Sequence, residues 1–145
     1  MAVGYILDAG VLQGLAKERA PNTPLGDRLR SERQAGRRLV TIREVMAECL
    51  DVPYSLLDAL GILVEPAASL AECSELLDRF GQKADKHVVA HAIARRLDIL
   101  TTDGAMKTRS YREMLRDLER MPDDRLPGWF LSFPYIEIVG RGLWH

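Results

Sequence analysis

Apolar and polar positions along the chain fall into two alternating kinds of stretch. Short runs that are apolar almost throughout occur near Val3–Leu7, Leu39–Thr41, Ile62–Glu65, Asp98–Thr102 and Tyr135–Val139. Such runs read as strands covered on both faces. Between them lie stretches whose apolar residues recur at helical spacing: Val11–Ala20, Gly26–Gln34, Ile42–Leu50, Tyr54–Leu60, Leu70–Phe80, Asp85–Leu97 and Tyr111–Met121. No repeat, low-complexity tract or linker interrupts the pattern. The alternation predicts an α/β fold over residues 1–145, a single domain whose short, mostly parallel central sheet is flanked by helices on both faces.

Three segments match the Ser/Thr-x-x-Glu capping box: Thr41 to Glu44, Ser69 to Glu72 and Ser110 to Glu113. The pattern gives Glu44, Glu72 and Glu113 a structural task, since each can accept the free N–H at its helix start. Glu48 has no such task. It lies one turn beyond Glu44, among Val45, Met46, Ala47 and Leu50. An acid in that setting is either partnered, functional or on an exposed stripe.

Three aspartates join it. Asp8 and Asp103 each end a predicted strand, where aspartate commonly caps the next turn or helix. In open parallel sheets the same place is where ligands bind. Asp85 opens a helix, a position the helix dipole favours for an acid, and Val88, Val89, Ala92 and Ile93 behind it form a core-facing stripe. Like charges brought together either share protons or hold a cation. If Asp8, Glu48, Asp85 and Asp103 converge, a divalent metal is the expected reason.

Composition narrows the classes. The net charge is -1, so the molecule is no polycation, and no apolar run approaches the roughly 20 residues that span a bilayer. Nothing resembles a secretory signal, and Cys49 and Cys73 match no metal or redox spacing. A cytoplasmic protein with reduced thiols and no membrane partner is expected. Arginine outnumbers lysine sixteen to four and is clustered. One cluster holds Arg28, Arg30, Arg33, Arg37, Arg38 and Arg43; another holds Lys107, Arg109, Arg112, Arg116 and Arg120. These are either solvated helix faces or phosphate contacts. His87 and His91 have a spacing that two zinc-bound imidazoles can share, but no further ligand pattern accompanies them, and they read as surface or core histidines. No Gly-rich phosphate loop or G-x-S-x-G elbow occurs, and Asp8-Ala-Gly10 lacks the second aspartate of aspartyl-phosphate enzymes. Trp129, Phe130, Phe133, Tyr135 and Trp144 read as packing around the last strand, with Trp129 and Trp144 also suited to anchoring a homodimer or protein partner.

In order along the chain, Asp8 ending a strand, Val45-Met-Ala-Glu48, the helix opened by Asp85-Lys-His-Val-Val-Ala-His-Ala-Ile-Ala94 and the turn Thr101-Thr-Asp103 resemble the PIN domain family of metal-dependent nucleases. The resemblance covers about residues 3–107 and is most specific from Asp85 to Asp103. It implies a Rossmann-like layering and hydrolysis of RNA by water activated on Mg²⁺ or Mn²⁺. It implies Asp8, Asp85 and Asp103 as direct or water-mediated ligands, and Glu48 as a ligand or as the group orienting the water. Arg43, Lys107, Arg109, Arg112 and Arg116 would guide the substrate backbone. Many small stand-alone members are toxins of toxin–antitoxin pairs, which implies an antitoxin protein as partner. A housekeeping RNA-processing nuclease, or a non-catalytic RNA- or protein-binding module, would share the fold. One departure stands out: members commonly carry Ser or Thr just after the first aspartate, where this chain has Ala9 and Gly10.

Overall fold

The computed structural model describes residues 3–17, 23–68, 83–119 and 133–139; the side chains of residues 83–85, 117 and 118 lie outside that set. Five short strands form one sheet: β1 (Gly4–Leu7), β2 (Arg38–Ile42), β3 (Ile62–Glu65), β4 (Asp98–Thr101) and β5 (Ile136–Ile138). Their order is β3-β2-β1-β4-β5, and every pairing is parallel. Among the described residues six helices accompany them: α1 (Ala9–Lys17), α2 (Pro24–Gln34), α3 (Arg43–Met46), α4 (Tyr54–Leu60), α5 (Lys83–Arg95) and α6 (Gly104–Glu119). None is long and apolar enough to cross a membrane.

The register decides which face each helix covers. Leu7 pairs with Leu100 and Leu100 with Glu137, so Tyr5, Leu7 and Glu137 share one face of the pleat. Arg28 of α2 lies over the Tyr5 ring, 5.8 Å from its centroid, and grips both carboxylate oxygens of Glu137. Helix α2 therefore covers that face. Glu65 is in line with Ile42, Val40 and Ile6 on the opposite face, where His91 of α5 meets it at 3.0 Å. The result is a three-layer, Rossmann-like arrangement. The chain moves outward from β1 through β2 to β3, then returns past both to β4. Between β1 and β4 the direction of winding reverses.

The core follows from the apolar runs. Ile6, Leu7, Val40, Ile42, Ile99 and Leu100 are fully buried, and so are Leu12, Leu15, Leu25 and Leu29 from the first two helices. Burying each such side chain contributes about 1.5–3 kcal/mol. The stripe expected on α5 is buried in full: Val88, Val89, Ala92 and Ile93. Helix α4 runs over the predicted residues and stops at Gly61, whose φ of 72° is left-handed. The Arg33 guanidinium fills the space in which a Cβ at this position would sit.

Of the six described helices only α4 starts where expected; α1 and α5 each begin two residues early, at Ala9 and Lys83, so Asp85 does not open α5. Helix α2 begins at Pro24, because the Thr23 hydroxyl accepts the Gly26 N–H at 3.0 Å and proline suits the first helical position. Helix α6 begins at Gly104 and not at Tyr111, so Ser110 lies mid-helix, where its hydroxyl donates to the Met106 carbonyl at 2.7 Å. Glu113 pairs with Arg116 at 3.1 Å instead of closing a capping box. The Thr41 box does not form either: Thr41 belongs to β2 and donates to the Leu7 carbonyl at 2.9 Å, leaving Ile42 to start α3 with no side-chain cap. The expected helix Ile42–Leu50 is thereby cut to Arg43–Met46. The Ser69 box, the helix Leu70–Phe80, Cys73, Trp129 and Trp144 lie outside the described residues.

Candidate active site

The carboxyl ends of β1 and β4 meet at the reversal point, and each is followed within two residues by an aspartate. Asp8 comes directly after β1 and is 7% exposed. Its Oδ1 accepts the Ala9 N–H at 2.8 Å and its Oδ2 accepts the Thr101 hydroxyl at 2.9 Å. Burial pushes the Asp8 pKa above the ordinary carboxylate value. The Ala9 and Thr101 hydrogen bonds pull against this, and the charge of Asp103 adds a further upward push. A carboxylate is thus held where its charge is costly.

Thr101 joins the two acids. Fully buried at the end of β4, its hydroxyl donates to Asp8 and accepts the Asp103 N–H at 3.1 Å. Asp103 is half-buried, and its Oδ1 accepts the Ala105 N–H at 2.9 Å, which caps α6. Capping and proximity to Asp8 are therefore both true of Asp103. Thr101 falls both among the last residues of the predicted strand and in the turn that follows; its alternation with Ile99 on one pleat face is the sequence sign that it points at Asp8.

Gly10 fits tightly into the same place. A Cβ there would overlap the Thr102 hydroxyl, so the first turn of α1 approaches the β4–α6 turn as closely as it does only because residue 10 has no side chain. Glycine at position 10 thus has a packing reason.

The capping box that was to give Glu44 its task does not form, and of the settings open to Glu48 the exposed one is found. Extending the register of Ile6 with Val40 brings Ile42 beside Asp8, so Arg43 and Glu44 start α3 at this edge. Glu44 caps nothing. It is half-buried, and its Oε1 is enclosed without a hydrogen-bond partner. Glu48 is exposed in the turn after α3, not on an enclosed helix face, because the helix ends at Met46 and the chain turns through Glu48 N–H to Val45 C=O at 3.0 Å. That turn is nevertheless pinned to the Asp8 loop. The Cys49 thiol donates to the Ala9 carbonyl at 3.8 Å. Burial first, then the charges of Asp51, Glu48 and Asp8, push the Cys49 pKa up to about 11. Glu48 and Asp8 thus act on the same sulfur.

Asp85 belongs to the first turn of α5, which follows β3 and packs against α3; its side chain lies outside the described set. Among the described residues no three His, Cys, Asp or Glu side chains close on a common point. What the structure brings together is Asp8 and Asp103, with Glu44 and Glu48 at the same edge. These are hard oxygen donors, the type that Mg²⁺ and Mn²⁺ take. A cation between Asp8 and Asp103 would offset both the burial of the one and its repulsion by the other.

The basic residues divide sharply. Arg28 is bound by Glu137, Arg30 by Asp27 at 3.0 Å, Arg37 by Glu32 at 3.0 Å and Arg38 by Glu65 at 2.6 Å. The first cluster is mostly structural. In the second, Lys107 lies 5.2 Å from the Tyr135 ring centroid, Arg116 pairs with Glu113, Arg109 is half-buried and Arg112 is exposed. Arg43 is exposed at the edge that carries the acids. His91 is fully buried and uses both ring nitrogens: Nδ1 accepts the Ala68 N–H at 3.0 Å, which leaves Nε2 to donate to Glu65. It forms no metal pair with His87. No protein-family model, curated protein or solved structure matches the chain.

Proposed function

We propose that this is a PIN-like endoribonuclease that hydrolyses RNA phosphodiester bonds with bound Mg²⁺ or Mn²⁺. The observation that carries the proposal is the enclosed Asp8 carboxylate, tied through one threonine hydroxyl to Asp103 at the reversal point of the sheet. Sheets of this kind bind ligands at that crevice. Two carboxylates on adjacent strand ends, one of them desolvated, form a place that a divalent cation stabilises.

In this reading Asp8, Asp85 and Asp103 hold the ion directly or through water, and Glu48 holds it or orients the attacking water. Glu44, enclosed and unpartnered at the same edge, is a contender for the role given to Glu48. The ion, when bound, lowers the pKa of a water and stabilises the leaving oxygen. Arg43, Lys107, Arg109, Arg112 and Arg116 guide the phosphate backbone. The biological role proposed is the toxin of a toxin–antitoxin pair, held by an antitoxin protein; an RNA-processing nuclease would use the same chemistry.

The test is cleavage of a mixed RNA pool with Mg²⁺ or Mn²⁺, beside EDTA and the Asp8→Asn variant. Cleavage that needs both the metal and Asp8 supports the proposal. A second reading, a non-catalytic RNA- or protein-binding module, is favoured by the exposure of Glu48. Its signature is a folded protein that cleaves nothing, binds no Mn²⁺ and keeps its RNA or protein affinity when Asp8, Asp85 or Asp103 becomes Asn.

A further inference from the structure

The turn after α3 does more than carry Glu48. Together with α3, β3 and the start of α4 it builds an open groove of about 840 Å³, whose lining includes Arg43, Met46, Cys49, Leu50, Tyr54 and Val64. That volume is within the roughly 300–1,000 Å³ of small-molecule sites. Its lining is mainly apolar, yet two of its large side chains face water: Leu50 is 91% exposed and Tyr54 60%. Single exposed apolar residues need no explanation. An exposed aromatic and an exposed leucine sharing a groove with an exposed arginine do.

Cys49 is the wall between this groove and the acids. It lines the groove, its thiol bonds the Ala9 carbonyl, and the N–H of Ala9 holds Oδ1 of Asp8. The Cys49 side chain and the Ala9 peptide thus lie between a ligand in the groove and the Asp8 carboxylate. An occupant must offer a flat apolar face to Tyr54 and a negative charge to Arg43, beside carboxylates whose proposed work is on a phosphate. A nucleotide of single-stranded RNA carries that combination: a base with a π-face and a phosphate one backbone unit away.

We infer that the groove seats one unstacked base of single-stranded RNA next to the cleavage site, with the Tyr54 ring as stacking platform and Arg43 on the neighbouring phosphate. The inference rests on the nuclease reading and adds which side chains seat the strand: Tyr54 under a base and Arg43 on the neighbouring phosphate.

The experiment is fluorescence anisotropy of the full chain, in EDTA so that nothing is cut, with a short labelled single-stranded RNA and its matching duplex. Tyr54→Ala should weaken single-strand binding about tenfold, the size of one lost base–aromatic stack, and leave any duplex binding unchanged. Tyr54→Phe, which keeps the ring, should bind as the parent does. Arg43→Gln should lower the salt slope by about 0.7, one phosphate contact on a single strand. Circular dichroism confirms the fold of each variant. Unchanged binding by Tyr54→Ala overturns the inference, and so does an equal loss with Tyr54→Phe. A change in molecular mass on sedimentation with RNA binding intact would assign the groove to a second copy of the chain, which also overturns it. The two readings fail separately. Tyr54-dependent binding without metal-dependent cleavage keeps the groove and removes the nuclease. Cleavage and binding that ignore Tyr54 do the reverse.

Discussion

Asp8 is a residue that folding tolerates more than it uses. Its folded pKa is raised above the ordinary 3.8, mainly by burial. The folded state therefore holds the proton more tightly than the unfolded chain. Stability falls as pH rises from the unfolded value to the raised folded value, and above that window the full penalty is present. Asp8→Asn has no charge to desolvate. In EDTA at neutral pH it should be at least as stable as the parent, and that advantage should disappear below the ordinary carboxylate range. Added Mn²⁺ should raise the melting temperature of the parent and not of the variant. Thermal unfolding across pH, with and without metal, reads all three; a variant less stable than the parent at every pH would show that the Ala9 and Thr101 hydrogen bonds outweigh burial. Cys49 offers a second check in the same pocket. With its pKa pushed up to about 11, about one thiol in a thousand is ionised at pH 8. In a Cys73→Ser background, alkylation of the folded protein should be far slower than of the unfolded chain.

At the scale of elements, Asp103 separates two tasks that one aspartate performs. It caps α6 through the Ala105 N–H, and asparagine caps nearly as well as aspartate. Asp103→Asn should keep stability and abolish metal-dependent cleavage, whereas Asp103→Ala should lose both, with about 1 kcal/mol gone from the fold. Denaturant titration beside the cleavage assay distinguishes them. Gly10→Ala forces a Cβ onto the Thr102 hydroxyl, and such overpacking costs about 1–3 kcal/mol. Thr102→Ala in the same chain should return much of that loss. The strands were legible because runs apolar on both faces have few other uses, and Asp8 and Asp103 were legible because a strand end is a local property. The glutamates were not. Thr41 satisfies the Leu7 carbonyl on the neighbouring strand, so its match to a capping box was accidental. The short α3 ends where Cys49 is drawn to Ala9, a contact between residues 40 apart that no local pattern encodes. Once that helix is a single turn, Glu44 faces inward and Glu48 faces water. Ser110 shows the same limit, since a serine bonded one turn back inside a helix has the same sequence neighbours as one that starts a helix.

For the whole molecule, the order β3-β2-β1-β4-β5 sets where chemistry is possible and the ion pairs set where phosphate is attracted. Four arginines between residues 28 and 38 are matched by carboxylates, so that side of the protein adds little field despite its composition. Among the described residues, Arg43 at the acid edge and α6, where Arg112 is exposed and Arg116 shares its charge with Glu113, are placed to attract a strand. If α6 guides an RNA backbone, replacing Arg112 and Arg116 together by glutamate removes up to two contacts. The slope of log affinity against log salt should then fall by about 1.4 for a single strand, with weaker binding at low salt. Reversing Arg30, which pairs with the exposed Asp27, should leave the slope nearly as it was. Of the two α6 changes, Arg112→Glu alone should account for more of the loss, because Arg116 already spends part of its charge within the helix. Equal slopes in all variants would mark α6 as a solvated face and leave Arg43 as the described cation at the sheet edge still to be tested.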